Sequence, residues 1–273
     1  MRTVCFVSDR TGVTAETLGH SLLSQFEGLE FRTITMPFVA STEEAEGVVT
    51  RINAIASEEQ VRPIIVCTLV DDRIRAIVKQ AHGLFLDFFD AFLAPLETEL
   101  GMESAHVTGR SVGGSSVDPA RSARIDATNF ALANDDGSGA RDYRSADVIL
   151  IGVSRSGKTP TSLYMALQYG IFTANYPLTD EELESAQLPK VLEPYKHKLY
   201  GLTIEPARLQ QIRNERRPGS RYASAQQVQY EVRTALTLFE RLGLPYIDVT
   251  QCSVEEIASR ILDKMRLTRH MRM

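Results

Sequence analysis

One stretch of the chain reads Asp147-Val148-Ile149-Leu150-Ile151-Gly152-Val153-Ser154-Arg155-Ser156-Gly157-Lys158-Thr159. Its first part, 147–152, is the most apolar strand candidate of the sequence. Its second part, 152–159, matches the pattern G-x-x-x-x-G-K-[ST] at every fixed position, and helix-compatible spacing continues over 158–169. A strand, a glycine-bearing loop and a helix in this order predict a phosphate-binding loop in an α/β domain.

The chemistry of such a loop explains its residue types. Glycines let backbone N–H groups turn toward phosphate oxygens, and the helix N-terminus adds partial positive charge. Lys158 would neutralise the terminal phosphates, and the Thr159 hydroxyl would ligate Mg²⁺. The alternative is a glycine-bearing turn that matches the pattern by chance. We prefer the phosphate loop because the strand and helix flank it in the required order.

Outward from this loop, strands and helices alternate along the chain, which predicts α/β architecture with largely parallel sheets covered on both faces. Strands are predicted in the first half at 4–8, 31–36 and 63–69, with helices at 14–26, 41–57, 71–81, 87–100 and 121–134. The second half has strands at 147–152, 173–178, 198–204 and 245–249, with helices at 158–169, 179–184, 206–216, 224–241 and 253–265.

The 273 residues exceed one ordinary domain, and we expect two. Glycine, serine and threonine crowd 101–120, which is read as a long loop or linker. We therefore predict an N-terminal parallel-sheet α/β domain with linker, 1–120, followed by a P-loop kinase-like α/β domain, 121–273.

Composition excludes several classes of protein. The chain is 43% hydrophobic and 24% charged, an ordinary globular balance. No apolar run approaches a membrane span, and three scattered cysteines suit neither a disulfide framework nor zinc, so we expect a cytoplasmic protein. Residues 1–144 carry 13 basic against 21 acidic residues, a charge of −8, and residues 145–273 carry 17 against 14, a charge of +3. A surplus of +3 is weak for nucleic-acid binding and suits a local anion site.

Arginines follow the loop in the second half. Arg213, Arg216 and Arg217 have the spacing of one helix face, and Arg221 follows a Pro-Gly turn. They are interpreted either as a lid that closes over phosphates or as a solvated face paired with Glu205 and Glu215.

Two aspartates end predicted strands. Asp248 could hold magnesium through water, although capping of the turn that follows it is favoured. Asp9 lies in the loop Ser8-Asp9-Arg10-Thr11-Gly12-Val13-Thr14, which also links a strand to a helix and could hold an anion. Asp9 is placed to act as a general base or metal ligand, and ordinary capping of the helix is the alternative.

The loop and several other blocks resemble the pyruvate,phosphate dikinase and phosphoenolpyruvate synthase regulatory proteins. The blocks span nearly the whole chain: Ser154–Ala166, Val7–Glu16, Arg124–Ala127, Asn134–Gly137, Ala174–Leu178, Gly201–Ile204, Asn214–Arg217 and Ser220–Ser224. The segments Tyr246-Ile247-Asp248 and Ser253–Ala258 look most like the bacterial phosphoenolpyruvate synthase branch.

The resemblance implies a bifunctional enzyme. Such proteins use ADP to phosphorylate a threonine of the target enzyme, which inactivates it, and reverse this when inorganic phosphate attacks the phosphothreonine and releases pyrophosphate. Carried to this chain, the nucleotide site comprises Gly152, Val153, Ser154, Arg155, Ser156, Gly157, Lys158 and Thr159. Thr159 would bind Mg²⁺, Lys158 and an arginine such as Arg216 would stabilise the transferred group, and Asp9 would be the base.

One departure from the family pattern lies in the linker, where relatives tend to carry a histidine and this chain has Val112. Either that histidine is dispensable, or His106 substitutes, or the activity is altered. The partner is expected to be phosphoenolpyruvate synthase, with pyruvate,phosphate dikinase as the alternative target. The oligomeric state is left open, a homodimer being common for such folds. A small-metabolite P-loop kinase and a nucleotide-gated binding protein without transferase activity are the other hypotheses.

Overall fold

The computed structural model describes residues 1–104, 119–135, 142–185 and 187–267. The chain forms two compact units, Met1–Val112 and Gly113–Met273. Each unit is α/β with its own parallel sheet of four strands, which confirms the predicted fold class. His106 and Val112, which the sequence singles out, lie outside the described residues.

The first unit is built around a four-stranded sheet of order β2-β1-β3-β4, in which every pair is parallel. Helices cover both faces: α2 and α3 pack on one apolar cluster, and α1 and α4 on another. The elements are β1 (Arg2–Val7), α1 (Val13–Leu23), β2 (Phe31–Met36), α2 (Thr42–Glu59), β3 (Ile64–Cys67), α3 (Asp72–Val78), β4 (Leu84–Asp87) and α4 (Phe88–Leu100).

The second unit repeats this arrangement with the order β6-β5-β7-β8, again wholly parallel. Two short 3₁₀ helices, Glu193–Lys198 and Arg221–Ala223, interrupt the alternation. The elements are α5 (Pro119–Ala133), β5 (Val148–Gly152), α6 (Lys158–Tyr169), β6 (Thr173–Pro177), α7 (Asp180–Ser185), β7 (Leu199–Thr203), α8 (Pro206–Arg216), α9 (Ala225–Leu242), β8 (Tyr246–Asp248) and α10 (Val254–Met265).

The shared strand order determines where a ligand can bind in each unit. The first strand of each sheet along the chain, β1 or β5, lies between the second strand and the third. The connection from the first strand to the second and the connection from the second to the third therefore run in opposite directions across the sheet. Such a reversal opens a crevice at the carboxyl end of the first strand. In the second unit the predicted phosphate loop leaves the sheet at this place.

The sequence reading of the first unit missed one strand. Leu84–Asp87 pairs in parallel with Ile64–Cys67, whereas only a helix over 87–100 was predicted here. The sequence is apolar on both sides of the strand end, in Leu84-Phe85-Leu86-Asp87-Phe88-Phe89. No glycine or proline therefore marks a turn between the strand and the helix. Asp87 marks the boundary, since its carboxylate accepts a hydrogen bond from the N–H of Asp90 and caps α4.

The helices of the described residues include none long and apolar enough to cross a membrane.

The sheet of the second unit tolerates no side chain at Gly201. A Cβ atom there would lie 2.7 Å from two ring carbons of Phe239 and 2.9 Å from the Cβ of Tyr246. We expect Gly201→Ala to lower the free energy of unfolding by about 1–3 kcal/mol, because an overfilled core must shift its neighbours. Gly47→Ala should raise it by about 0.5–1 kcal/mol, because Gly47 lies exposed inside α2 with open space around it. Thermal unfolding of both variants measures this, and a Gly201→Ala transition at the wild-type temperature would contradict it.

Candidate nucleotide-binding site

Strand β5 leads into the loop at the carboxyl end of the second sheet. All five of its residues are buried, and it lies between β6 and β7. Only five residues separate the end of the strand at Gly152 from Lys158, where helix α6 begins. Its N-cap, Gly157, has φ 83° and offers no side-chain acceptor to the first N–H groups of the helix. The loop therefore has the backbone arrangement that binds phosphate oxygens.

Gly152 is required by a close approach between backbone segments. Its φ is +156°, and a Cβ atom there would lie 2.4 Å from the carbonyl oxygen of Leu202 in β7 and 3.0 Å from Ser156 Oγ. No residue other than glycine fits without moving the backbone of β7. The first glycine of the motif thus allows the loop to start directly above the neighbouring strand.

The interior of the loop holds Lys158. Its side chain is 4% exposed, and its Nζ donates a 2.8 Å hydrogen bond to the carbonyl oxygen of Val153. A buried cation inside a ring of backbone groups is suited to a phosphate chain. Arg155 at the top of the loop has φ 72°, an uncommon conformation for a non-glycine residue, and its side chain is exposed.

A cavity of about 210 Å³ lies against the loop. It is lined by Ser154, Arg155, Gly157, Lys158, Thr159, Pro160 and Asn175. Two buried polar atoms of this region, Ser156 Oγ and Asn175 Oδ1, have no hydrogen-bond partner among the described residues. Since buried polar groups are nearly always paired, such atoms fit a site completed by a polar ligand. The volume suits a phosphate chain better than a whole nucleotide.

A carboxylate lies directly beside the predicted metal ligand. Thr159 Oγ1 donates to Asp135 Oδ1 at 3.0 Å, and Asn175 Nδ2 donates to the same oxygen at 2.5 Å and to Thr159 Oγ1 at 3.0 Å. Hard oxygen donors of this kind suit Mg²⁺, which usually takes one or two protein oxygens together with phosphates and water. No group of three or more His, Cys, Asp or Glu side chains able to hold a metal exists in the described residues.

A buried ion pair supports the loop from below. Arg213 is 0% exposed, and its guanidinium donates to both carboxylate oxygens of Glu231, at 2.6 and 3.1 Å. The same group donates to the carbonyl oxygen of Ser154 in the loop at 3.1 Å and to that of Tyr222 at 3.0 Å. Its central carbon lies 4.1 Å above the Tyr222 ring, and Tyr222 Oη and Ser154 Oγ are joined at 2.9 Å. Arg213 therefore fixes the position of the loop.

The expectation that the arginines share one face is wrong for Arg213. It points into the core from α8, whereas Arg216 and Arg217 are exposed at the end of that helix. The alternative of pairing with Glu205 or Glu215 is wrong as well, because its partner is Glu231 on α9. Spacing indicates which residues lie near one another on a helix, but it does not show which neighbour is covered.

The remaining candidates are placed as follows. Arg216 does not line the cavity, so its catalytic role stays a prediction. Asp248 accepts a 2.9 Å hydrogen bond from the N–H of Thr250, which confirms the favoured capping interpretation. Asp9 follows β1 in the first unit, and its role as a base also stays a prediction.

Sequence reasoning from spacing missed Asp135, Asn175 and Glu231 as parts of this site, and it named Arg213 without predicting that its side chain is buried. Asp135 and Asn175 belong to the Asn134–Gly137 and Ala174–Leu178 blocks that carry the family resemblance, which was the signal that could have found them. Their convergence depends on the end of α5 meeting β6 and the start of α6. No spacing rule in one sequence predicts such a meeting.

The chain is similar to known proteins over nearly its whole length. The family profile described as kinase/pyrophosphorylase matches residues 4–262. A relative from Legionella pneumophila (strain Corby) is 52% identical over 261 residues, 96% of each chain. One from Halorhodospira halophila is 51% identical over 270 residues, 98% of each, and one from Pseudomonas aeruginosa (strain LESB58) is 53% identical over 265 residues, 96% of this chain and 95% of the relative. All three carry the provisional name phosphoenolpyruvate synthase regulatory protein.

The contribution of the buried ion pair to stability can be tested by removing the guanidinium group of Arg213. We expect Arg213→Met to lower the free energy of unfolding by about 3–5 kcal/mol, because it leaves the Glu231 carboxylate buried without its cation. Arg216→Met, one turn further along the same helix and exposed, should change it by less than about 0.5 kcal/mol. Chemical denaturation of both variants measures the difference. Equal stability of the two variants would show that the buried pair does not hold the loop region together.

Proposed function

The chain belongs to the kinase/pyrophosphorylase family, and we propose that within it the protein is a bifunctional regulatory enzyme of phosphoenolpyruvate synthase. In one direction it transfers the β-phosphoryl group of ADP to a threonine of that enzyme and inactivates it. In the other it uses inorganic phosphate to remove the group, which releases pyrophosphate and restores activity. The names of the relatives at about 50% identity support the choice of partner over pyruvate,phosphate dikinase.

The observation that carries this proposal is the phosphate loop with Lys158 buried inside it. Phosphoryl transfer needs the reacting groups to be positioned and their charge to be neutralised more than it needs covalent help from the protein. The N–H groups at the start of α6 and the Lys158 ammonium meet both needs. With ADP as donor, the group held at the loop is the β-phosphate, which is also the group transferred.

The forward reaction follows from this placement. The threonine oxygen of the target forms a bond to the β-phosphorus as the bond to the bridging oxygen breaks, AMP leaves, and a base takes the hydroxyl proton. Lys158 stabilises the negative charge on the transferred group. In the reverse reaction an oxygen of inorganic phosphate forms a bond to the phosphorus of the phosphothreonine and the bond to the threonine oxygen breaks. The threonine oxygen takes up a proton, and pyrophosphate leaves.

Mg²⁺ fits the oxygen atoms that lie beside the loop. Thr159 Oγ1 and the Asp135 carboxylate would hold it, with Asn175 orienting both through its amide. A bound Mg²⁺ supplies charge neutralisation for the phosphate oxygens. Asp135 therefore takes the role for which Asp248 was considered, and Asp9 remains our choice for the base.

The ADP-dependent reaction can be tested with labelled nucleotide. We expect [β-³²P]ADP, incubated with this chain and phosphoenolpyruvate synthase, to label a threonine of the synthase. Lys158→Met should lower the rate by about 10²–10³-fold, because the charge inside the loop is lost. Lys196→Met is the matched control and should leave the rate unchanged. Lys196 is exposed in the 3₁₀ helix that precedes β7, at the end of the strands opposite to the loop.

Three outcomes would contradict this proposal. Efficient labelling from [γ-³²P]ATP and none from ADP would show that the donor is wrong. A labelled small product formed without any protein partner would favour a metabolite kinase. Nucleotide-dependent binding of the synthase with no transfer in either direction would favour a binding protein that is gated by nucleotide.

The metal and base assignments give different signatures. We expect Asp135→Asn to raise the Mg²⁺ concentration for half-maximal rate about tenfold, because a charged ligand becomes neutral. Asp9→Asn should lower kcat by about 10²-fold or more at unchanged Mg²⁺ requirement, because proton transfer is lost. Asp263→Asn, exposed on α10, is the control and should change neither value. Initial rates over a Mg²⁺ series measure both effects, and an Asp9→Asn enzyme of wild-type kcat would remove Asp9 as the base.

A further inference from the structure

The connection between α8 and α9 places a tyrosine against the phosphate loop of the second unit. This connection contains the short 3₁₀ helix Arg221–Ala223, and Tyr222 lies at its centre. Tyr222 is half-buried, whereas Arg221 before it is exposed. The Tyr222 Oη atom lies 2.9 Å from Ser154 Oγ, so the hydroxyl of a residue far along the chain contacts the loop.

Arg213 fixes the orientation of this tyrosine. The carbonyl oxygen of Tyr222 accepts a 3.0 Å hydrogen bond from Arg213 Nη1, and the central carbon of the same guanidinium lies 4.1 Å from the centre of the ring. A cation over the face of an aromatic ring is attracted to it, which holds the ring in place. The guanidinium is itself fixed by both carboxylate oxygens of Glu231. The ring is therefore held on its face and at its backbone, and its hydroxyl is held beside Ser154.

Ser154 connects the tyrosine to the ligand cavity. It is one of the residues that line the cavity against the loop, and its carbonyl oxygen accepts a 3.1 Å hydrogen bond from Arg213 Nη2. Its backbone and its hydroxyl are thus held by Arg213 and Tyr222, respectively. A serine hydroxyl has one proton to donate and two lone pairs that accept. It can therefore give its proton either to the tyrosine or to a ligand in the cavity, but not to both.

The chemistry of phosphate decides between these two directions. Ionised phosphate oxygens accept hydrogen bonds and have no proton to donate. A bound phosphate therefore takes the proton of Ser154, and Ser154 Oγ is left to accept from the Tyr222 hydroxyl. The resulting chain of hydrogen bonds runs from Tyr222 through Ser154 to a phosphate oxygen. Hydrogen bonds in such a chain polarise one another, which strengthens the bond that reaches the charged group.

We propose that Tyr222 is a positioning residue for the bound nucleotide. Its hydroxyl donates to Ser154 Oγ and turns the Ser154 proton toward the β-phosphate of ADP. Tyr222 is not among the described residues that line the cavity, so it acts through Ser154 rather than on the nucleotide itself. The proposal rests on the proposed function, because it takes ADP as the nucleotide whose β-phosphate occupies the loop.

Binding of ADP to the full chain, without a partner protein, tests this role. We expect Tyr222→Phe, which keeps the ring on Arg213 and removes only the hydroxyl, to raise the dissociation constant of [β-³²P]ADP in equilibrium dialysis about three- to tenfold. Ser154→Ala should raise it about tenfold or more, because a hydrogen bond to a charged group is lost. The double variant should bind ADP no more weakly than Ser154→Ala alone, since the two residues act as one chain.

The matched control is Tyr230→Phe, which makes the same chemical change at an exposed tyrosine of α9 and should leave ADP binding unchanged. Two further measurements separate positioning from a structural role. In labelling of the synthase, Tyr222→Phe should raise the KM for ADP by the same factor as the dissociation constant and leave kcat within about twofold of the wild-type value. Its thermal unfolding should match that of the wild type, because the ring remains on Arg213.

Equal ADP affinity of Tyr222→Phe and the wild-type chain would overturn the proposal. A double variant that binds ADP about tenfold more weakly than Ser154→Ala would overturn it as well, because the tyrosine would then act independently of the serine. A wild-type chain that binds no ADP would refute both this proposal and the proposed function. ADP binding that depends on Tyr222 in a chain that transfers no phosphoryl group would refute only the proposed function.

Discussion

Each unit depends on one buried parallel strand, the first of its sheet along the chain. The loop that follows this strand begins where the connections on its two sides run in opposite directions. In the second unit this strand is β5, which has no exposed residue and is paired on both sides. Because its backbone groups are satisfied within the sheet, the regular pairing ends only at the loop, where the N-cap glycine offers no side-chain acceptor to the first turn of α6. The candidate site follows from this constraint, since the start of α6 is where the protein can offer N–H groups to a ligand.

The loop is held by groups that do not themselves face the ligand cavity. Arg213 joins the carbonyl of Ser154 to Glu231 on α9 and to the carbonyl of Tyr222, so one cation connects the loop to two further segments. A buried ion pair gains little stability over an apolar core, but it restrains geometry strongly because each hydrogen bond has a direction. In a phosphotransferase this restraint has a use, because positioning provides much of the rate.

The two units are similar in design and differ in charge at their loops. Both have a helix capped by glycine after the first strand and the same strand order. The second unit adds Lys158 inside the loop and Asp135 beside it, whereas the first has Val13 and Asp9 in the corresponding region. The two units therefore have the same backbone arrangement at this loop but different charged side chains around it.

Much of this protein can be predicted from its sequence. The alternation of strands and helices, the bounds of β2, α6 and α8, and the glycine-bearing loop between β5 and α6 follow from local rules of periodicity and backbone chemistry. The tertiary structure alone decided three things: the strand at Leu84–Asp87, the burial of Arg213 against Glu231, and the meeting of Asp135, Asn175 and Thr159. Each joins residues 16 to 40 positions apart or depends on a neighbouring strand. Local patterns determine which elements form, whereas the contacts between distant elements arise only when the whole chain packs.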